Sequence, residues 1–192
     1  MELLEKVIQE RAIVGENHVL RIDSFLNQFV DIELVSKMAD EWKKLYQHSK
    51  ITKILTIESA GIALATVAGM KFNVPVVFAK KEFTNRIPEG TLCAKIYSYT
   101  MKKSYYAYVP EDYISEDDVV LIIDDVIANG WAAEGLVDII SQASATLEGI
   151  GVAIEKCYQQ GGSRLRTKGI RVESLAKIAD LDQESGKVIF KK

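Results

Sequence analysis

Apolar positions along the chain follow two patterns, and the patterns take turns. In residues 33–48, Leu34, Met38, Trp42 and Leu45 recur at the spacing of one helical face. Charged residues fill the gaps, which predicts an amphipathic helix. Residues 1–12 predict a first helix by the same test, with Leu3, Leu4, Val7 and Ile8 on one side. Other stretches lack that period and run almost unbroken: ITKILTI at 51–57, VPVVFA at 74–79, VVLII at 119–123 and LEGIGVAI at 147–154. Short apolar runs of this kind suit strands buried on both faces of a parallel sheet. Helical patterns over 62–70 and 132–144 separate them. Strands alternating with helices predict an α/β fold, a mainly parallel twisted sheet flanked by helices.

Some stretches stand outside the alternation. Residues 18–31, HVLRIDSFLNQFVD, keep no long period and predict part of a small N-terminal lobe. Taken alone, Leu20 there fits ordinary packing and Asn27 an ordinary cap. Residues 92–100 and 104–109 predict two strands joined by MKK, with Tyr97, Tyr99, Tyr106 and Tyr108 alternating as on a two-sided ribbon. An ordinary edge hairpin fits that alternation. A short helix is expected near 164–168, with late strands at 172–178 and 187–190 bordering the N-terminal lobe. The expected organisation is one domain over residues 1–192. A small hood would come from about 1–32 and 170–192.

The candidate chemistry sits in residues 119–135, VVLIIDDVIANGWAAEG. The buried strand ends in two carboxylates, Asp124 and Asp125. Ala128, Asn129 and Gly130 follow, small or turn-prone residues that let the backbone close tightly. Ligands of open α/β sheets bind outside the carboxyl ends of strands. A loop there that feeds a helix offers backbone N–H groups to an anion. The carboxylates by themselves fit a solvated loop equally well. A second strand-to-helix turn, Glu58, Ser59, Ala60 and Gly61, repeats the arrangement; it fits either another anion cradle or a simple tight turn. Lys80 and Lys81 end the 74–79 strand, where paired lysines usually form a solvated face.

Composition narrows the class. The chain has 192 residues, nearly half of them apolar, and only three prolines, enough for a sizeable core. Its formal charge of -3 argues against a general nucleic-acid binder. Cys93 and Cys157 form neither a metal-like spacing nor a disulfide framework, so a reducing cytoplasm is expected. The start, MELLEKVIQERAIV, lacks the pattern of a signal peptide, and no apolar segment approaches a membrane span. His18 and His48 are far apart in sequence, and nothing supports a nucleophilic triad.

The 119–135 stretch resembles the phosphoribosyl-diphosphate (PRPP) binding motif of the type I phosphoribosyltransferases. The likeness extends along nearly the whole chain through LRIDSFLNQ, TIESAGIA, VPVVFAKK, IIDDVIANG, GIGVAIEK and RVESLAKI. Their order and spacing are similar to those of the bacterial xanthine-using branch. That resemblance implies purine salvage: transfer of the 5-phosphoribosyl group from PRPP to N9 of xanthine. Sister enzymes use guanine, hypoxanthine or adenine, and some regulators use the fold to sense PRPP. The regulators carry a DNA-binding domain, for which there is no room before Leu20.

The resemblance also implies roles. Leu20, Asn27 and Lys156 would meet the purine, and Asp124 and Asp125 the ribose hydroxyls. Ala128, Asn129, Gly130, Trp131 and Ala132 would hold the 5′-phosphate. Ser59, Ala60, Gly61 and Lys80 would face the diphosphate. Mg2+ would arrive on PRPP, with no dedicated protein site, and the hairpin at 97–109 would close as a lid. The family is commonly dimeric, which implies a homodimer. Two positions depart from the wider family: Ala128 replaces a carboxylate and Ala132 a hydroxyl residue. The first departure matches the adenine and xanthine branches and argues against a side-chain general base. Trp131 is bulky where close relatives carry a small or polar residue, so its indole must point away from the phosphate.

Overall fold

Two capping and packing choices set the start of the chain. Helix α1 (Glu2–Arg11) buries Leu4 and Ile8. A small antiparallel pair, β1 (Ile13–Gly15) and β2 (Val19–Arg21), follows, and then a π-helical turn over Asp23–Asn27. Asp31 caps α2 (Ile32–Leu45), its carboxylate accepting the Leu34 N–H at 3.2 Å. Such a cap stabilises a helix by about 1 kcal/mol. The same carboxylate pairs with Arg11 at 2.8 Å, which ties α1 to α2. The computed structural model describes residues 1–84, 86–98 and 102–191.

The remaining elements build one sheet. In order they are β3 (Lys53–Ile57), α3 (Ala60–Phe72), β4 (Val76–Glu82), β5 (Thr91–Ser98), β6 (Lys103–Pro110), β7 (Val119–Ile127), α4 (Trp131–Gln142), β8 (Thr146–Lys156), α5 (Gly161–Thr167), β9 (Val172–Asp182) and β10 (Lys187–Phe190). The strand order is β10-β9-β8-β7-β3-β4-β6-β5. From β9 to β4 all neighbours are parallel; antiparallel strands close both edges. The expected α/β fold is therefore the observed one.

Strand β7 shows why its sequence has no polar alternation. Leu121 and Ile123 face a core with Trp42 of α2 and Leu64 of α3. Val120 and Ile122 face a second core with Leu136 and Ile139 of α4. Both faces are dry, so both sets of positions are apolar.

Several elements differ from expectation; β7 runs past the acidic pair to Ile127, so Asp124 and Asp125 lie within the strand, and β9 runs to Asp182. β4 continues past Ala79 through Lys80, Lys81 and Glu82, because β6 pairs with those residues. The β5–β6 hairpin is joined to the main sheet at its base, where Ala94, Ile96, Tyr105 and Ala107 are buried. It does not stand apart from the core alternation. Its tip at 99–101, and with it Tyr99, lies outside the described residues. At the other edge the N-terminal amino group donates to the Leu175 carbonyl, and Leu4 and Ile8 share a core with Ile178, Leu181 and Val188. Among the described residues, no helix is long and apolar enough to cross a membrane.

Candidate active site

The strand order reverses between β3 and β7. From β3 the chain crosses to β4 on one side; from β7 it crosses to β8 on the other. The crossover helices α3 and α4 pack on opposite faces, in the two separate cores. Such a reversal leaves a crevice at the carboxyl ends of the strands. A cavity of about 280 Å3 lies there. It gathers Asn27, Ser59, Ala60 and Gly61 with Asp124 and Asp125, and adds Ala132, Lys81 and Tyr105. An adjoining cavity of about 180 Å3 shares Asp124 and Tyr105 and is lined by the turn from Ala128 through Ala132.

The acidic pair forms the floor. Asp124 is buried, and its Oδ1 accepts the Asp125 N–H at 3.0 Å. Asp125 Oδ1 accepts the Val126 N–H at 2.8 Å. Burial pushes the pKa of Asp124 well above the ordinary carboxylate value, and the neighbouring charge of Asp125 pushes it further. Burial also raises Asp125. The Lys81 ammonium opposes both shifts. Tyr105 is pushed up to about 12, by burial first and then by the charge of Asp124. The pair is thus withdrawn from water at the crevice and is not a solvated turn.

The two turns beside the floor are built differently. After β3, Glu58 Oε1 accepts the Lys81 N–H at 2.5 Å, and the Glu58–Ser59 peptide is cis. Gly61 opens into the first turn of α3. A Cβ there would collide with the Thr56 hydroxyl and come within 2.9 Å of Asp124 Oδ1. After β7, Gly130 has φ +80°, a left-handed conformation open to glycine. A Cβ there would lie 2.9 Å from the Gly161 Cα. The Trp131 ring lies under the Arg164 guanidinium, 4.4 Å from centroid to Cζ.

The residues expected on the purine meet the crevice unequally. Asn27 lines it, with its amide donating to Asp23 Oδ1 at 3.3 Å. Lys156 follows Glu155, which pairs with Ile127 just before the β7 turn. Its Nζ donates to the His18 carbonyl at 3.3 Å, and the Tyr158 hydroxyl reaches that oxygen at 3.4 Å. Burial lowers the pKa of Lys156. Leu20 sits two residues beyond, in β2 and half-buried. Lys156 therefore meets the N-terminal segment that carries Leu20, and neither residue lines the cavity of the acidic pair.

Lys80 does not join the site. Successive strand residues point to opposite faces, and Lys80 lines a separate cavity with Phe78, Tyr108 and Tyr113. Lys81 takes the position beside the acidic pair, its ammonium 5.5 Å from the Tyr105 ring centroid. The strand period alone could have found Lys81, had β4 been extended past Ala79. Tyr105 was hidden as the odd member of an adjacent tyrosine pair. No signal in the sequence pointed to Arg164. Among the described residues, no three His, Cys, Asp or Glu side chains gather as a metal-holding group.

No protein-family model matches the chain. It is 46% identical over 191 residues to the xanthine phosphoribosyltransferase of Lachnoclostridium phytofermentans, spanning 100% of this chain and 98% of that one. It is 49% identical over 190 residues to that of Bacillus licheniformis, spanning 99% and 97%. Among solved structures, the adenine phosphoribosyl transferase of Trypanosoma brucei in complex with AMP, pyrophosphate and ribose-5-phosphate matches with a TM-score of 0.77. That match covers 94% of this chain and 82% of the other at 20% identity, a likeness of fold. With the fold, the crevice and full-length relatives in agreement, the chain belongs to the xanthine phosphoribosyltransferase family of type I phosphoribosyltransferases.

Proposed function

We propose that the protein transfers the 5-phosphoribosyl group of PRPP to N9 of xanthine, giving xanthosine 5′-monophosphate and diphosphate. The observation that carries the reading is the buried acidic pair at the strand-order reversal, flanked by two strand-to-helix turns. The β7 turn would take the 5′-phosphate and the β3 turn the diphosphate. Asp124 and Asp125 would then hold the ribose hydroxyls between them.

The chemistry is displacement at ribose C1. As the bond to diphosphate loosens, positive charge develops on the ribose. A carboxylate pair already fixed by backbone N–H groups needs little reorganisation to stabilise that charge. Mg2+ travels on PRPP as part of the substrate and neutralises the departing diphosphate. It prefers oxygen ligands and keeps several waters. Lys81 faces the acidic pair and supports their ionised form. Lys156 would donate to a xanthine oxygen, as an ammonium only donates. A site built on that hydrogen bond disfavours adenine, whose C6 amino group would face it donor to donor.

The reading includes a homodimer and a cytoplasmic location. Phe78 and Tyr113 are exposed and line one cavity, and a second copy would cover them. Both cysteines are free, as a reducing compartment keeps them. The test is nucleotide formation from Mg–PRPP with xanthine, guanine, hypoxanthine and adenine in parallel. Xanthine should give the highest kcat/KM; preference for another base would overturn the substrate, and no product with any base would overturn the reaction.

A further inference from the structure

The turn between β7 and α4 is held in shape from behind. Gly161 N–H donates to the Ala128 carbonyl at 3.1 Å. Arg164 Nη2 donates to the Asn129 carbonyl at 2.6 Å. In a trans peptide the N–H points opposite the carbonyl. With both carbonyls drawn towards α5, the N–H groups of Asn129 and Gly130 face the other way. On that side lies the cavity lined by the turn, to which α5 contributes no residue.

Arg164 is itself fixed on three sides. Its guanidinium stacks on Trp131 at 4.4 Å, its Nε donates to Glu134 Oε1 at 2.9 Å, and its Nη2 holds the turn. Glu134 also takes Lys168 at 2.8 Å. Burial opposes ionisation of Glu134, but Arg164 and Lys168 outweigh it and hold its pKa below the ordinary value. A planar guanidinium can bridge carbonyl, carboxylate and ring at once, which an ammonium cannot.

We propose that Arg164, seated on Trp131, is the positioning residue of the anion cradle, and that the indole serves as its platform. This rests on the transfer reading in one respect, that the anion is the 5′-phosphate of PRPP. The bulk of Trp131 then has a use away from the ligand. Arg164 touches no substrate; it acts by presetting backbone donors, so its loss should fall on binding of the phosphate end alone.

The experiment titrates ribose 5-phosphate and diphosphate separately into the parent protein and into Arg164→Ala, Arg164→Lys, Trp131→Phe and Trp131→Ala. Arg164→Ala should weaken ribose 5-phosphate roughly ten- to a hundredfold, the range for a lost charge-assisted hydrogen bond. Diphosphate affinity should hold, because it uses the β3 turn. The KM for PRPP should rise while kcat changes little. Trp131→Ala should follow Arg164→Ala, and Trp131→Phe, which keeps an aromatic platform, should lose less than Trp131→Ala. If Arg164→Ala does not fold, Arg164→Lys is read the same way, with a smaller loss. Unchanged ribose 5-phosphate affinity, or equal loss for both ligands, overturns the proposal. A parent that binds ribose 5-phosphate under Arg164 control yet makes no nucleotide supports the cradle and sinks the transfer reading instead.

Discussion

The turns after β3 and β7 have the same outline and opposite construction. Each leaves a buried strand at the crevice and enters a helix. The β3 turn lies directly against the acidic floor: a Cβ at Gly61 would meet Thr56 and Asp124, and Glu58 holds the Lys81 backbone. The β7 turn touches its neighbours from the far side, through Gly161 and Arg164. On the proposed reading, a disturbance in the first turn would be felt by the acidic pair, and one in the second by the 5′-phosphate. The two turns are thus separable by where their support comes from.

The largest expected effect breaks the floor that both turns share. Asp124→Asn combined with Asp125→Asn should lower kcat by roughly a hundredfold or more, the scale on which preorganised electrostatic groups act. PRPP affinity should fall much less. A double variant with parental kcat in a coupled diphosphate-release assay would remove the acidic pair from the mechanism.

Lys156→Ala sharpens the comparison from outside it. It should lose roughly ten- to a hundredfold in kcat/KM for xanthine, for one charge-assisted hydrogen bond. PRPP affinity should not follow, since Lys156 belongs to neither turn. A matching loss in PRPP binding would show that the base and phosphate ends are not separable.

The glycines test the two turns against each other. Gly61→Ala forces a methyl towards Asp124 Oδ1, where the approach is 2.9 Å, and overpacking of this kind costs about 1–3 kcal/mol. Its kcat should drop about tenfold, the rate equivalent of roughly 1.4 kcal/mol. Gly130→Ala meets Gly161 and a left-handed backbone, and should raise the KM for PRPP with a smaller change in kcat. Steady-state kinetics on both variants decides the matter; an interchange of the two signatures would reverse the assignment of the turns.

The smallest effect is on stability. Burial raises the folded-state pKa of Asp124 above its ordinary 3.8. Between those values the folded protein binds more protons than the unfolded chain, so stability falls as pH rises through the window. Asp124→Asn removes this penalty. The ligand-free variant should melt above the parent at pH 7, and the gain should shrink as pH falls towards the ordinary value. A gain that persists unchanged at pH 4 would assign it to some cause other than ionisation.

Particular residues show how far a linear reading reached. Asp124, Asp125 and Gly130 were visible because strand, carboxylates and turn are contiguous, and local chemistry needs only neighbours in the chain. Lys81 was within reach but was displaced by Lys80, because a strand's end depends on whether another strand pairs with it. β6 supplies that pairing from more than twenty residues away. The hairpin was recognised from its alternation, yet its attachment to β4 was not, since a ladder partner leaves no mark on either sequence alone.

By itself, the sequence determined the main alternation of strands and helices and the acidic pair ahead of a tight turn, although β7 runs on past that pair to Ile127. Hydrophobic period and turn chemistry act over a few residues, and each stretch carries its own record of them. Tertiary structure alone decided which lysine faces the carboxylates, and that Lys156 reaches the His18 carbonyl across 138 residues. It also decided that Arg164 stacks on Trp131 and grips Asn129 from behind. Those contacts are set by strand order and by the face on which each helix packs, and only the folded chain brings the two partners together.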